Sequence, residues 1–192
     1  MEIMRIVLAS KSPRRQELLG VIGIKNFEII PAVGEEKISG ETEPADIVCA
    51  LASQKAEEVF AKCPDALVIA ADTLVFLDGK ALGKPKDEED AYTMLKSIAG
   101  REHTVMTGVC VMVGEKKLVA AEKTKVYFKS MTDNEIWSYI KSGEPMDKAG
   151  AYGAQGLGSI FIERIDGDFF NVMGLPLCRL YGMLGDIGYK LI

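Results

Sequence analysis

The feature that most constrains this fold is a run of twelve residues, 66–77, that contains a single charged side chain, Asp72. The other residues are Ala, Leu, Val, Ile, Phe and one Thr, a composition that predicts a buried strand. The run ends at Asp78-Gly79, a dipeptide typical of a two-residue hairpin turn. Shorter apolar runs alternate with amphipathic segments on either side of it. This order predicts an α/β protein.

Further elements follow from capping residues and from hydrophobic periodicity. Asp87 and Thr132 are predicted N-caps, and Thr132 with Glu135 matches a capping box. We find no internal repeat and no low-complexity linker, so we predict a single domain over 1–192, with a mixed twisted sheet and flanking helices. The predicted strands cover 5–9, 66–77, 105–113, 118–128 and 160–165. Two predicted helices cover 13–19 and 44–62. Three more begin at Asp87, Thr132 and Pro176.

Charge and composition narrow the classes of function. The net charge is −5, which argues against sequence-independent binding to nucleic acid. No apolar run is long enough to span a bilayer, and no signal peptide is recognised, so we predict a cytoplasmic protein. The cysteines are widely spaced and have no companion histidines, which predicts reduced, buried thiols rather than zinc ligands. They are Cys49, Cys63, Cys110 and Cys178.

Residues 10–15 read Ser-Lys-Ser-Pro-Arg-Arg at the start of the first helix. Ser12 suits the N-cap, and Pro13 suits the first helical position. Arg14 and Arg15 then put two positive charges at the positive end of the helix dipole, where acidic side chains are normally favoured. An anion such as phosphate bound at this helix start would explain the pair. The alternative is that both arginines point into solvent.

Two charged side chains lie in otherwise apolar surroundings. Asp72 interrupts the buried strand, and a buried carboxylate must be paired, hydrogen-bonded or bound to metal. Its alternatives are a functional carboxylate or a structural one satisfied by backbone N–H groups or by Thr73. Lys55 is four residues from both Leu51 and Val59, in line with the apolar stripe of its helix. It either joins a site or extends its ammonium to water along an apolar surface.

Two loops carry further candidates. Lys84 stands between Gly83 and a stiffening Pro85, which suits a fixed phosphate contact. Gln155 lies in the glycine-rich segment 147–156, where the backbone can approach a flat ligand closely and the amide offers a donor and an acceptor. The alternative for that segment is an ordinary glycine-rich turn. We interpret His103, the single histidine, as structural.

Taken together, several segments resemble the Maf family of nucleoside triphosphate pyrophosphatases, whose fold is similar to that of the inosine triphosphatase group. The matches occur in the family's order along the chain. The resemblance implies a two-lobed, inosine triphosphatase-like architecture with a central cleft, and a homodimer. The matching segments are residues 8–19, 54–56, 71–73, 83–85, 107–109, 143–145, 147–156 and 172–176.

The resemblance also implies a reaction: hydrolysis of a nucleoside triphosphate between the α and β phosphates, with a divalent cation, Mg²⁺ or Mn²⁺. Asp72 is the implied catalytic carboxylate, and Glu36 and Asp72 are the implied metal ligands. Thr73 and Gln155 match positions tied to base choice in the dTTP/UTP branch, although Ala154 stands where that branch usually carries isoleucine and could broaden the substrate range. A regulator of septum formation is the alternative function. The implied phosphate-binding and substrate-binding residues are Ser10, Ser12, Arg14, Arg15, Lys55 and Lys84.

Overall fold

The structure is a computed structural model that describes residues 4–35, 37–38, 40 and 43–192. Its regular elements alternate between strand and helix along most of the chain, as the sequence predicts. The strands are β1 (Ile6–Leu8), β2 (Glu28–Ile29), β3 (Leu67–Leu77), β4 (Lys80–Leu82), β5 (Glu102–Val113), β6 (Lys116–Phe128) and β7 (Ile162–Asp166). The helices are α1 (Pro13–Val21), α2 (Pro44–Phe60), α3 (Glu88–Ile98), α4 (Asp133–Ile140), α5 (Phe169–Met173) and α6 (Leu177–Asp186).

The strands form a seven-stranded mixed sheet in the order β2-β1-β3-β5-β6-β7, with β4 paired to β3. β1 runs parallel to both β2 and β3, with Val7 opposite Glu28 and Val68. The β3–β4 and β6–β7 pairs are antiparallel. The predicted fold class, a mixed sheet with flanking helices, is therefore confirmed.

The chain folds into two compact units. The first unit comprises the described residues of Met1–Asp72, Thr107–Glu122 and Gly174–Ile192, and the second comprises Thr73–Met106 and Lys123–Met173. Strands β3, β5 and β6 each contribute residues to both units, so neither unit is one continuous stretch of chain.

Each unit has its own apolar core. In the first unit, small side chains on the inner face of α2 pack against β1 and β3. In the second unit, α3 and α4 pack their apolar faces with an aromatic group that includes Phe128, Tyr152 and Phe161. The larger side chains of the second core explain how short helices there can be held by packing rather than by helical propensity.

The local signals in the sequence are mostly confirmed. Asp78 and Gly79 both have positive φ, 50° and 77°, as the hairpin turn requires. The Asp87 carboxylate accepts from the Asp90 N–H at 2.8 Å, and Thr132 forms the predicted capping box. The predicted strand 160–165 is displaced: residues Leu157–Phe161 form a 3₁₀ helix, and β7 begins only after it.

The cysteines and the histidine follow the predictions with one exception. All four thiols are free, and Cys63 and Cys110 are buried as predicted; Cys49 is only half-buried, and Cys178 is exposed on α6, so the prediction of burial is wrong for Cys178. His103 is buried, with Nε2 2.8 Å from the Tyr152 hydroxyl and its ring packed edge-on to Phe128. Burial lowers the pKa of His103 to about 4, so the ring is neutral at neutral pH, as expected of a structural residue. Among the described helices, none has the length and apolarity that a membrane span requires.

Candidate active site

The first part of the candidate site is a partly buried ion pair between α2 and β3. The Lys55 ammonium donates to Oδ1 of Asp72, a residue that is only 7% exposed. Opposite charges removed from water stabilise each other only when they are held together, which the two elements do here. The pair gives Asp72 a partner that the sequence did not name, and a role of either residue in catalysis or binding stays a prediction. Asp72 is satisfied by Lys55, and Lys55 turns toward the carboxylate rather than only toward water.

The start of α1 forms the second part, in the same unit. Ser10 is buried, and its hydroxyl accepts from the Ser12 N–H at 3.2 Å and from Nη1 of Arg15 at 3.1 Å. Nε of Arg15 donates to the carbonyl of Gly174 at 2.8 Å. The structure thus joins two segments that the sequence singled out separately, residues 8–19 and 172–176.

This geometry corrects two expectations about the helix start. Ser12 occupies the N-cap position, but its side chain caps no N–H group; its own N–H is the group that bonds, to Ser10. Arg15 does not simply point into solvent, because its guanidinium connects Ser10 to Gly174. Arg14 is half-exposed and makes no hydrogen bond or ion pair to any residue that the structure describes. The two arginines therefore have different surroundings.

The second unit carries Thr73, Lys84 and Gln155. Thr73 follows Asp72 directly in β3, while Lys84 and Gln155 are exposed on loops. The two loops meet through the backbone, since the N–H of Gly150 donates to the carbonyl of Gly83 at 3.0 Å.

Gly150 itself has no room for a side chain. Its φ is +69°, and a Cβ there would lie 2.9 Å from Cγ2 of Val75. The glycine-rich segment is therefore pressed against β3 two residues beyond Thr73. Thr73 and the loops that carry Lys84 and Gln155 belong to one local arrangement.

A cavity of about 620 Å³ in the first unit opens beside Lys55. Two side chains of α2 that the sequence analysis did not single out bind the loop that lines this cavity. The Glu58 carboxylate accepts from the N–H groups of Val33 and Gly34 at 3.1 and 2.9 Å, and the Gln54 side chain bonds to both backbone groups of Lys37. Gln54 neighbours Lys55 in a recognised motif. The loop partners of Gln54 and Glu58 are backbone groups, so the sequence does not predict these contacts.

The predicted metal ligand Glu36 falls outside the described residues. Within them, no group of three His, Cys, Asp or Glu side chains stands ready to hold a metal ion. Asp72 is a hard oxygen donor of the kind that Mg²⁺ and Mn²⁺ prefer. Mg²⁺ is commonly held by one or two carboxylates together with substrate phosphates, so a single protein carboxylate is compatible with such a cation.

Comparisons with known proteins agree on one family. The family model described as Maf-like protein matches residues 5–187. A protein of Carboxydothermus hydrogenoformans named dTTP/UTP pyrophosphatase is 54% identical over 190 residues, covering 97% of this chain and 100% of its own length. A protein of Aquifex aeolicus with the same name is 50% identical over 185 residues, covering 96% of each chain.

A solved structure supports the fold alone. The Ham1 protein of Staphylococcus aureus superposes with a TM-score of 0.51 at 18% identity, covering 82% of this chain and 79% of that one. The similarity agrees with the inosine triphosphatase-like architecture implied by the sequence motifs.

Proposed function

Because the chain belongs to the Maf-like protein family, we propose that it is an enzyme that hydrolyses dTTP and UTP to the nucleoside monophosphate and pyrophosphate. Relatives at about half identity over nearly their full length carry that name. The single structural observation that supports it most is the partly buried Lys55–Asp72 ion pair. An ionised carboxylate in a mostly apolar strand costs desolvation free energy, and carboxylates held in this way are typical of catalytic groups.

In the proposed reaction, water attacks the α phosphorus, and the bond from that phosphorus to the α–β bridging oxygen breaks, so that the bridging oxygen leaves with pyrophosphate. Asp72 orients the water or accepts its proton, and pyrophosphate takes up the negative charge that develops on the leaving side. Lys55 has three N–H donors, so it can keep its bond to Asp72 and also donate to a phosphate oxygen. The ammonium would then fix the carboxylate relative to the phosphate chain.

The remaining cations suit a polyanionic substrate. A triphosphate carries several negative charges, whereas the protein as a whole is acidic. Arg14, Arg15 and Lys84 supply local positive charge, and Ser10 and Ser12 frame the start of α1, where free backbone N–H groups favour an anion. We propose that these residues bind the phosphates.

A divalent cation, Mg²⁺ or Mn²⁺, is part of the proposal. Asp72 and substrate oxygens form a donor set suited to it, with Glu36 as the second proposed ligand. When bound, such an ion neutralises phosphate charge and makes pyrophosphate a better leaving group. The position of Asp72, fixed by Lys55, is what the chain itself contributes to that arrangement.

The test of the proposed function is pyrophosphate release across a panel of nucleotides. Uracil and thymine present an N3–H donor beside carbonyl acceptors, which a glutamine amide can match, whereas cytosine has no N3–H. Unpaired polar groups in a site typically cost ~1–3 kcal/mol each, so we expect kcat/KM for UTP and dTTP to exceed that for CTP and ATP by at least ~10-fold. Gln155→Ala should narrow this gap. Equal kcat/KM for UTP and CTP in the wild type would contradict base reading by Gln155.

The two arginines are expected to respond differently to alanine substitution. Arg14→Ala should raise KM for UTP and leave the melting temperature unchanged or slightly higher, because a charge opposed to the helix dipole is removed. Arg15→Ala should raise KM and also destabilise the protein by ~1–3 kcal/mol, since Ser10 and the Gly174 carbonyl lose their donor. Steady-state kinetics and thermal unfolding measure both effects. Identical stability of the two variants would contradict the structural role of Arg15.

We further propose that the protein acts as a single-domain, homodimeric, cytoplasmic enzyme that does not bind nucleic acid. Strands shared between the two units favour one domain, because no single cut of the chain separates them. The net charge of −5 disfavours binding to nucleic acid. The dimer comes from the family resemblance, and the cytoplasmic location is the expectation drawn from the sequence.

A further inference from the structure

The segment that carries Gln155 is held by a hydrogen-bonded pair of side chains, Tyr139 and Glu144. Oε1 of Glu144 accepts from the Tyr139 hydroxyl at 2.7 Å and from the N–H of Gly158 at 3.0 Å, and Oε2 accepts from the N–H of Leu157 at 2.8 Å. The Tyr139 oxygen in turn accepts from the N–H of Gly153 at 3.1 Å. The pair therefore binds the backbone two residues before Gln155 and two and three residues after it.

The glycines of this segment are required by the same pair. A Cβ at Gly156 would lie 2.2 Å from Oε2 of Glu144, and one at Gly158 would lie 2.6 Å from the Tyr139 hydroxyl. Gly156 has a φ of −114°, so its lack of a side chain answers a need for space rather than for a left-handed backbone. The sequence analysis assigned the glycine-rich segment 147–156, which includes Gly156 but not Gly158, to close approach of a flat ligand. The structure gives both glycines a different cause, the wrapping of the backbone around a carboxylate.

The hydrogen bonds that Glu144 accepts also keep its carboxylate ionised. Burial raises the pKa of Glu144, but the hydrogen bonds from Gly158, Tyr139 and Leu157 together lower it below its usual value. The carboxylate is therefore ionised at neutral pH and accepts from all three donors. Hydrogen bonds to an ionised acceptor are shorter and stronger than neutral ones, which suits a rigid support.

The 3₁₀ turn that contains Glu144 is also fixed. Nζ of Lys148 donates to the Glu144 carbonyl at 2.7 Å and to Oδ1 of Asp147 at 2.6 Å. Tyr139 lies near the end of α4 and is buried in the core of the second unit. The support of the Gln155 segment thus extends to a helix, an element that is more rigid than a loop.

We infer that Glu144, with Tyr139, is a positioning residue for base selection: it fixes the Gln155 segment so that the amide presents one defined hydrogen-bonding edge to the base. The inference rests on the proposed function. Glu144 itself is not expected to touch the reacting phosphates. Its loss should therefore act on the ratio between nucleotides more than on the rate with any one of them.

Glu144→Gln is the sharpest test, because it keeps the size of the side chain but replaces an acceptor facing N–H groups by an NH₂ donor. We expect the ratio of kcat/KM for UTP to that for CTP to fall about tenfold, and the amides of Leu157 and Gly158 to exchange with solvent faster. Glu163→Gln, at an exposed position of β7 in the same unit, is the matched control and should change neither quantity.

Tyr139→Phe is the second variant, and it keeps the inference testable if Glu144→Gln does not fold. It removes one bond to Glu144 and one to Gly153 but leaves the bonds to Leu157 and Gly158, so a smaller fall in the same ratio is expected. An unchanged UTP-to-CTP ratio in a folded Glu144→Gln protein would overturn the inference. Failure of the wild type to release pyrophosphate from any nucleotide would overturn the proposed function instead, and amide exchange would still report whether Glu144 holds the segment.

Discussion

Asp72→Asn is expected to lower the rate of pyrophosphate release from UTP by at least ~100-fold, the usual contribution of a general base or of an equivalent charged ligand. The amide has nearly the shape of the carboxylate, and its oxygen can still accept from Lys55. It cannot take a proton from water, and it no longer carries charge toward a cation. The loss should therefore appear in kcat under saturating nucleotide, with the protein still folded.

The measurement needs two controls. Circular dichroism and thermal unfolding of Asp72→Asn should show a folded protein, since the Lys55 ammonium is only partly buried and keeps a neutral acceptor. Asp46→Asn removes a carboxylate from an exposed position of α2, the helix that carries Lys55, and should retain wild-type activity. A near wild-type rate for Asp72→Asn would contradict the catalytic assignment of the Lys55–Asp72 pair.

Much of the fold could be predicted because its signals are local. The hairpin at Asp78-Gly79, the cap at Asp87 and the capping box at Thr132 each depend on residues a few positions apart, and each is present in the structure. The burial of Asp72 could be predicted as well, since a strand this apolar must lie inside. Boundaries were less accurate: β5 begins at Glu102, three residues before the predicted start, because hydrogen bonding continues past the apolar run.

Apart from the family resemblance, local sequence patterns predict the site only as separate pieces. Lys55 and Asp72 were both unusual in their own elements, but nothing in the sequence pairs side chains that are 17 residues apart on a helix and a strand. The same holds for Arg15 with Gly174, which are 159 residues apart. These contacts depend on how parallel strands and their connections pack, a property of the whole topology rather than of any segment.

Glu144 is the clearest case of a residue whose role the sequence did not indicate. It belongs to a recognised motif, yet apart from the Tyr139 hydroxyl its partners in this segment are backbone N–H groups, which every residue except proline possesses. A hydrogen bond to a backbone group does not restrict which residue the partner is, except where the close approach leaves no room for a side chain. Gly156 and Gly158 are such positions, because a side chain there would overlap Glu144 or Tyr139. The reason for these glycines is evident only from the structure.

Gly108→Ala is expected to cause the second large effect. Gly108 lies in β5 within the recognised segment 107–109, and a Cβ there would lie 2.1 Å from the carbonyl oxygen of Val48 and 2.7 Å from the Cys49 nitrogen. Both atoms belong to the backbone of α2, so no side-chain rotation can relieve the overlap. The helix must move away from the sheet. Overpacking of this kind costs about 3 kcal/mol, measurable as a lower midpoint of urea unfolding.

The displacement of α2 should also lower the rate of the proposed hydrolysis. Lys55 is seven residues beyond Val48, about two helical turns along the same helix, so a shift of α2 moves the ammonium relative to Asp72. We therefore expect Gly108→Ala to lower kcat even at temperatures where the variant is fully folded. Gly182→Ala is the matched control, since a Cβ at that helical position of α6 meets nothing within 4 Å, and it should stabilise the protein by up to ~1 kcal/mol. Wild-type stability and kcat in Gly108→Ala would contradict the close approach of α2 to β5, and with it the account of how the fold brings Lys55 to Asp72.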